Sequence, residues 1–122
     1  MSWNLDSDRP IFLQIIGKIQ TDIISGAYEP GDKLPSVREL AQEASVNPNT
    51  MQKALAELER TGLVHSQRTS GRFITEDTTM IHNLKAELAK DIIQEFLENM
   101  QRLGFEKEEA IELITETNRG GS

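Results

Sequence analysis

The chain has 122 residues, 27% of them charged, no cysteine and a formal net charge of −7 at pH 7. That length holds one compact core and a helical extension but not an added metabolite-sensing domain. Without cysteine there are no disulfides, thiolate metal sites or thiol nucleophiles, and no apolar run of about 18 residues offers a membrane span.

Residues 1 to 8 carry no periodic pattern and read as a short extended arm, in which Trp3 and Leu5 could pack on the body or on a partner subunit. Pro10 opens a helix whose Ile11, Ile15, Ile16, Ile19, Ile23 and Ile24 fit a 3.6-residue period and whose end is marked by Gly26. The run Ala27 to Asp32, with Pro30 before Gly31, is turn chemistry. Ser36 and Glu39 then form an S-x-x-E capping box, and Val37, Leu40, Ala41 and Ala44 repeat on one helical face. Asn47 followed by Pro48 starts a further helix, because an Asn side chain accepts from free backbone N–H groups and proline suits the first helical position.

That helix keeps Met51, Leu55 and Leu58 inward, so Asn49, Thr50, Gln52 and Lys53 project elsewhere from its first turns. Amide, hydroxyl and amine groups at the start of such a helix are the groups that bond base edges and phosphates in a major groove. The alternative is a solvated polar face; the capped helix before it and the hairpin after it favour nucleic acid. After Gly62, Leu63 to Ser66 and Arg72 to Thr75 read as two short strands around a polar tip, Gln67 to Gly71. Such a hairpin must pack on the helices through Leu63, Phe73 and Ile74, which leaves Arg68 and Arg72 beside the tip for phosphate or minor-groove contact.

From about Thr78 one long helix is expected, with Ile81, Leu84, Leu88, Ile92, Phe96, Met100 and Leu103 on one face. Gly104 ends it, and a shorter helix follows with Phe105, Ile111 and Ile114 on one side; Asn118 to Ser122 reads as a frayed tail. A helix of about 25 residues spans about 38 Å, more than the small head it follows, so the stripe calls for another surface, and the two helices read as a dimerisation hairpin. The fold class is therefore mainly α with a small β component: a winged helix-turn-helix head over 9–77 and a helical dimerisation region over 78–122.

Charge is the feature least suited to a DNA binder, since phosphate neutralisation normally dominates affinity. It is unevenly spread: residues 1–75 hold 8 Lys and Arg against 9 Asp and Glu, net −1, while residues 76–122 hold 5 against 11, net −6. Arg38, Lys53, Arg68 and Arg72 could share one face of the nearly neutral head, giving modest, salt-sensitive affinity. His65 and His82 have no third partner at ligand spacing, so neither a metal nor a cofactor is expected. The start of the chain lacks the basic-then-apolar layout of a secretory signal, which favours a cytoplasmic protein.

The segments Pro30-Gly31-Asp32-Lys33-Leu34-Pro35-Ser36-Val37-Arg38-Glu39-Leu40-Ala41 and Val46-Asn47-Pro48-Asn49-Thr50 resemble the GntR family of bacterial transcription regulators, over Pro10 to about Thr75. The acidic two-helix tail, joined by Leu103-Gly104-Phe105, is similar to that of the small YtrA-like subfamily. The resemblance implies a winged-helix homodimer on a palindromic operator, often regulating its own operon and a neighbouring ABC transporter. It also implies that Ser36 and Arg38 touch backbone or base at the start of the first helix of the motif. Asn47, Asn49, Thr50, Gln52 and Lys53 would lie in the turn and recognition helix, and Arg68, Gly71 and Arg72 on the wing. Here Thr69-Ser70-Gly71 stands where the family often has Gly-Lys-Gly, and Ser45 replaces the usual turn glycine.

The expected function is that of a sequence-specific DNA-binding regulator, a repressor, acting as a homodimer on an inverted repeat, and not an enzyme. The alternative is a winged-helix protein-interaction module, which the acidic charge and the apolar long helix would suit. A hydrolase is disfavoured because the carboxylates lie on solvated helix faces with no phosphate loop and no paired nucleophile and base.

Overall fold

The computed structural model describes residues 3–120, without the side chains of residues 119 and 120. The elements are α1 (Ile11–Ser25), α2 (Val37–Ala44), α3 (Pro48–Arg60), β1 (Val64–Gln67), β2 (Gly71–Ile74), α4 (Thr78–Arg102) and α5 (Lys107–Gly120). They fall into two compact units, one ending at Asn83 and one beginning at Leu84. None of the described helices is long and apolar enough to cross a membrane.

α1 buries Ile15, Ile19 and Ile23 at four-residue spacing, a single stripe facing the core. Pro10 stands at its N-cap and supplies no capping side chain. Gln14 does related work one turn later: its Oε1 accepts from the Asp6 N–H at 2.7 Å, and its Nε2 donates to the carbonyls of Asp6 (2.7 Å) and Arg9 (3.1 Å). The arm is therefore not simply extended. From Trp3 it turns at Ser7 and Asp8 and is tied to α1; Met1 and Ser2 lie outside the described residues.

The chain leaves α1 through Gly26 and turns at Pro30-Gly31, where the Asp32 N–H donates to the Glu29 carbonyl at 3.0 Å. Gly31 has φ +85°, the left-handed value that the third position of this turn requires and that glycine adopts at low cost. The turn delivers residues 32–34 alongside β2. Leu34 donates to the Arg72 carbonyl at 2.9 Å, Ile74 donates to the Asp32 carbonyl at 2.8 Å, and Lys33 bridges Phe73. β1 and β2 pair antiparallel from Val64↔Ile74 to Gln67↔Gly71, one residue tighter than the sequence suggested, so only residues 68–70 form the tip. Pairing on its second edge relieves the hairpin of having to stand alone.

α2 begins behind Ser36, whose Oγ accepts from the Glu39 N–H at 3.1 Å while Glu39 Oε1 accepts from the Ser36 N–H at 3.0 Å. α3 begins behind Asn47, whose Oδ1 accepts from the Asn49 N–H at 2.7 Å, with Pro48 first in the helix. Met51, Ala54, Leu55 and Leu58 of α3 close on the α1 stripe, Leu40, Ala41 and Ala44 of α2 are buried as α2 packs on α3, and Leu34, Leu63, Val64 and Ile74 seal the hairpin side. Removing each of the larger side chains, the leucines, isoleucines, Val64 and Met51, from water stabilises the fold by about 1.5–3 kcal/mol, and each alanine by less.

Between α2 and α3, Ser45 is the only described non-glycine residue at positive φ, +57°. The Ser45 N–H reaches the Ala41 and Gln42 carbonyls and Val46 donates back to Ala41 at 3.0 Å, closing the end of α2 through a left-handed residue. The hairpin is fixed to α3 by one carboxylate. Glu59 Oε1 accepts from Ser66 Oγ and from Arg72 Nε, each at 2.5 Å. The Ser66 hydroxyl, helped by Arg72, holds the Glu59 carboxyl below the usual carboxylate range.

In α4, Asp77 Oδ1 caps the Met80 N–H at 3.1 Å. α4 is closed past Arg102 by the turn at Gly104, where Phe105 donates to Met100 and Gly104 to Gln101, and α5 is entered through Glu106, whose N–H donates to Glu109 Oε1 at 2.9 Å. α5 runs on to Gly120, so the tail expected from Asn118 is helical as far as it is described, and Gly121 and Ser122 lie outside.

Replacing Ser45 by glycine should raise the free energy of unfolding by about 0.5–1 kcal/mol, because the left-handed penalty disappears while no hydrogen bond of the side chain is lost. Urea unfolding checks this, and a destabilised Ser45→Gly protein would contradict it. Glu59→Gln should cost about 1 kcal/mol near neutral pH. A carboxyl depressed in the folded state contributes stability that is complete above the unfolded value, about 4.3, and is lost as pH falls through the lower folded value. The two proteins should therefore converge in stability on acidification; a gap unchanged at about pH 3 would contradict this origin.

Candidate nucleic-acid interface

The first two turns of α3 form the centre of the surface. With Met51, Ala54, Leu55 and Leu58 turned into the core, helical geometry puts Asn49, Lys53 and Ala56 along the opposite line, Gln52 and Glu59 toward the hairpin, and Thr50 and Glu57 toward α1. Asn49, Gln52 and Lys53 are exposed as that geometry requires, whereas Thr50 is half-buried. Thr50 lines a cleft of about 420 Å³ with Trp3, Leu5, Ile11 and residues 44–47. It is a flank rather than part of the crest.

At the turn, the Asn47 side-chain carbonyl is committed to its cap, which leaves the amide NH2 as its outward donor. Ser36 Oγ likewise accepts within the capping box, and its hydroxyl proton is shared with the Glu39 carboxyl. Its backbone N–H, then its hydroxyl, hold the Glu39 carboxyl below the usual range, so that carboxylate is charged and occupied. Arg38, the next residue but one, is exposed.

The eight Lys and Arg of residues 1–75 divide into two groups. Arg9, Lys18, Arg60 and Arg72 each meet a carboxylate: Asp6 at 2.9 Å, Asp22 at 2.7 Å, Glu57 at 2.5 Å and Glu59 at 2.5 Å. The other four of this segment, Lys33, Arg38, Lys53 and Arg68, form no ion pair with the described residues. Arg38, Lys53 and Arg68 sit on α2, on α3 and at the hairpin tip, all exposed. A positive charge with no internal partner keeps its full attraction for phosphate, so a head with balanced total charge still offers cations where its surface is polar. Arg72 differs from the other expected contacts. It is half-buried and its Nε serves the Glu59 anchor, so only its outer nitrogens remain for a ligand.

Gly71 opens β2 at φ +106°, and a Cβ there would come within 3.1 Å of the Lys33 Cε. Lys33 was not legible as a hairpin residue. Only the pairing of residues 32–34 with β2 brings it there, and no local pattern encodes that pairing. Glu59 was missed for the same reason, its partner Arg72 lying 13 residues away.

In the second unit Ala110 is buried while Ile92 (68% exposed), Ile93, Phe96, Leu103 (74%), Ile111 and Ile114 are not. Of the expected stripe, Ile81, Leu84, Leu88 and Met100 are half-buried. Phe96, Met100, Leu113, Ile114, Thr117 and Asn118 line an open hollow of about 690 Å³. Six large apolar side chains in water on a 39-residue unit form more than the scattered exposure normal for a monomer.

The profile of the family described as bacterial regulatory proteins, gntR family, matches residues 12–74. The HTH-type transcriptional repressor YtrA of Bacillus subtilis is 39% identical over 112 residues, covering 90% of this chain and 85% of that protein. A GntR family transcriptional regulator from Listeria monocytogenes superposes with a TM-score of 0.84 at 43% identity, covering 92% of this chain and 98% of the other. AraR(DBD), solved in complex with operator ORE1, superposes with a TM-score of 0.53 at 30% identity, over 62% of this chain and 94% of its own. The matched span runs from α1 to the end of β2 and contains every polar residue of the surface just described. The chain belongs to the gntR family of bacterial regulatory proteins and is a DNA-binding transcriptional regulator of winged helix-turn-helix fold.

Proposed function

We propose that this protein is a repressor that binds an inverted-repeat operator as a homodimer, with its own operon and a neighbouring ABC transporter as targets. The observation that carries the reading is the outward trio Asn49, Gln52 and Lys53, flanked by the unpaired cations Arg38 and Arg68. The α3 amides bond base edges in the major groove, with Thr50 and Asn47 at the margin, while Ser36, Arg38 and Lys53 meet phosphates. Arg68, the backbone at Gly71 and the outer nitrogens of Arg72 reach the adjacent backbone from the wing. AraR(DBD), solved on its operator, supports this assignment of the head.

The exposed stripe on α4 and α5 supports pairing with a second copy, through Ile81, Leu84, Leu88, Ile92, Phe96, Met100 and Leu103. Residues 9–77 are then the DNA-binding domain and 78–122 the dimerisation region. A two-fold axis sets the recognition helices about 34 Å apart, one turn of the duplex, which is why the operator is an inverted repeat.

Arg38→Ala should weaken binding to a duplex from the upstream region of its own operon by about tenfold, while thermal unfolding and oligomeric state stay as in the wild type. Wild-type binding by the folded variant would remove Arg38 from the interface. The Ile92→Glu, Phe96→Glu double variant should sediment as a monomer that still unfolds cooperatively and should lose operator affinity by at least about a hundredfold, since each half-site alone supplies half the contacts. A dimer of wild-type strength would refute the assigned stripe.

A further inference from the structure

Lys53 is the one cation in the first two turns of α3, and what holds it is an aromatic ring. Its Nζ lies 4.1 Å from the ring centroid of Phe12, a half-buried residue in the first turn of α1. The usual stabiliser of a helical lysine would be Glu57, one turn further on. That carboxylate is taken: both its oxygens accept from Arg60, at 2.9 and 2.5 Å. The arrangement combines two properties useful to a phosphate-binding lysine. The ring attracts the ammonium without neutralising it, and the ring covers one side of the ammonium so that the remaining N–H donors face outward.

We propose that Phe12 is a positioning residue for DNA binding, holding the Lys53 ammonium at the α1 border of the α3 crest before the duplex arrives. A free lysine has a four-carbon stem whose rotamers must be fixed on binding, and a preset head group removes part of that cost. Phe12 itself touches no phosphate. Phe12 also lines a hollow with Leu13, Ile16, Gln20, Leu58 and Thr61, so its packing role has to be separated from its effect on Lys53. The inference rests on the reading above that Lys53 meets the duplex.

The test is a double-mutant cycle with a fluorescent duplex from its own upstream region, read as anisotropy over a series of salt concentrations. Lys53→Met should bind about tenfold more weakly and lower the salt slope by about one. Phe12→Leu should bind about three- to fivefold more weakly, and Phe12→Tyr, which keeps the π face, should bind as the wild type does. In the Lys53→Met background Phe12→Leu should add nothing. In the free protein the Lys53 ε-methylene protons should be shifted upfield by the ring in wild type and Phe12→Tyr, and should return to ordinary values in Phe12→Leu. Should Phe12→Leu fail to fold, Phe12→Met takes its place in the cycle. Unchanged or tighter binding by folded Phe12→Leu, or an equal loss in both backgrounds, overturns the inference while leaving Lys53 in the interface. Wild-type binding and salt slope in Lys53→Met overturn both the inference and the DNA role of Lys53.

Discussion

The hydrogen bond from the Asn49 N–H to the Asn47 side chain, with Pro48 behind it, decides where α3 begins. Met51, Ala54, Leu55 and Leu58 face the core and so fix the rotation of the helix, while the start at Asn47 brings Asn49 into its first turn beside Gln52 and Lys53. The left-handed Ser45 is the other half of the constraint. It ends α2 tightly enough for the capping Asn47 to stand two residues later, and its φ of +57° is left-handed backbone that costs a non-glycine residue energy.

Around this fixed helix, four contacts that no local pattern encodes tie the head together. Residues 32–34 pair with β2 and give the hairpin a third strand's worth of hydrogen bonds. Glu59 joins Ser66 and Arg72 to the last turn of α3, so the wing is referenced to the same helix that carries the polar crest. On the opposite flank, Gln14 binds the arm back onto α1, and α1 offers Phe12 to Lys53. Wing and α1 thus border the crest on its two sides. The division of cations follows the same logic: those paired with carboxylates brace the structure, whereas Arg38, Lys53 and Arg68 are left with their charge available.

What was legible in the sequence was whatever is written locally. Ser36 with Glu39, Asn47 with Pro48, Gly26 and Gly104 fix helix ends through contacts spanning five residues or fewer, and each of those ends lies where the sequence puts it. The isoleucine period of α1 and the inward set of α3 were equally direct. The arm, the Lys33–Phe73 bridge and the Arg72–Glu59 pair were not legible, because a contact between residues eight or more apart leaves no periodic trace. Arg72 shows the consequence for the site. As a residue type beside a hairpin tip it reads as a phosphate contact, yet half-burial and a carboxylate partner give it a structural duty first. Thr50 shows the same in milder form, its exposure reduced by the cleft shared with Trp3, Leu5 and Ile11.

The acidity of the chain also becomes intelligible in parts. The surplus of negative charge lies beyond residue 75, on the helices whose apolar side chains are exposed, and the head that carries the polar crest is close to neutral. The most direct test of the account is amide and side-chain NMR mapping of the protein titrated with a duplex from its own upstream region. Perturbations centred on Asn49, Gln52 and Lys53, with Arg38 and Arg68 at the edges and the core face of α3 largely undisturbed, are the predicted result. Perturbations centred elsewhere, with those three side chains unchanged at saturation, would contradict it.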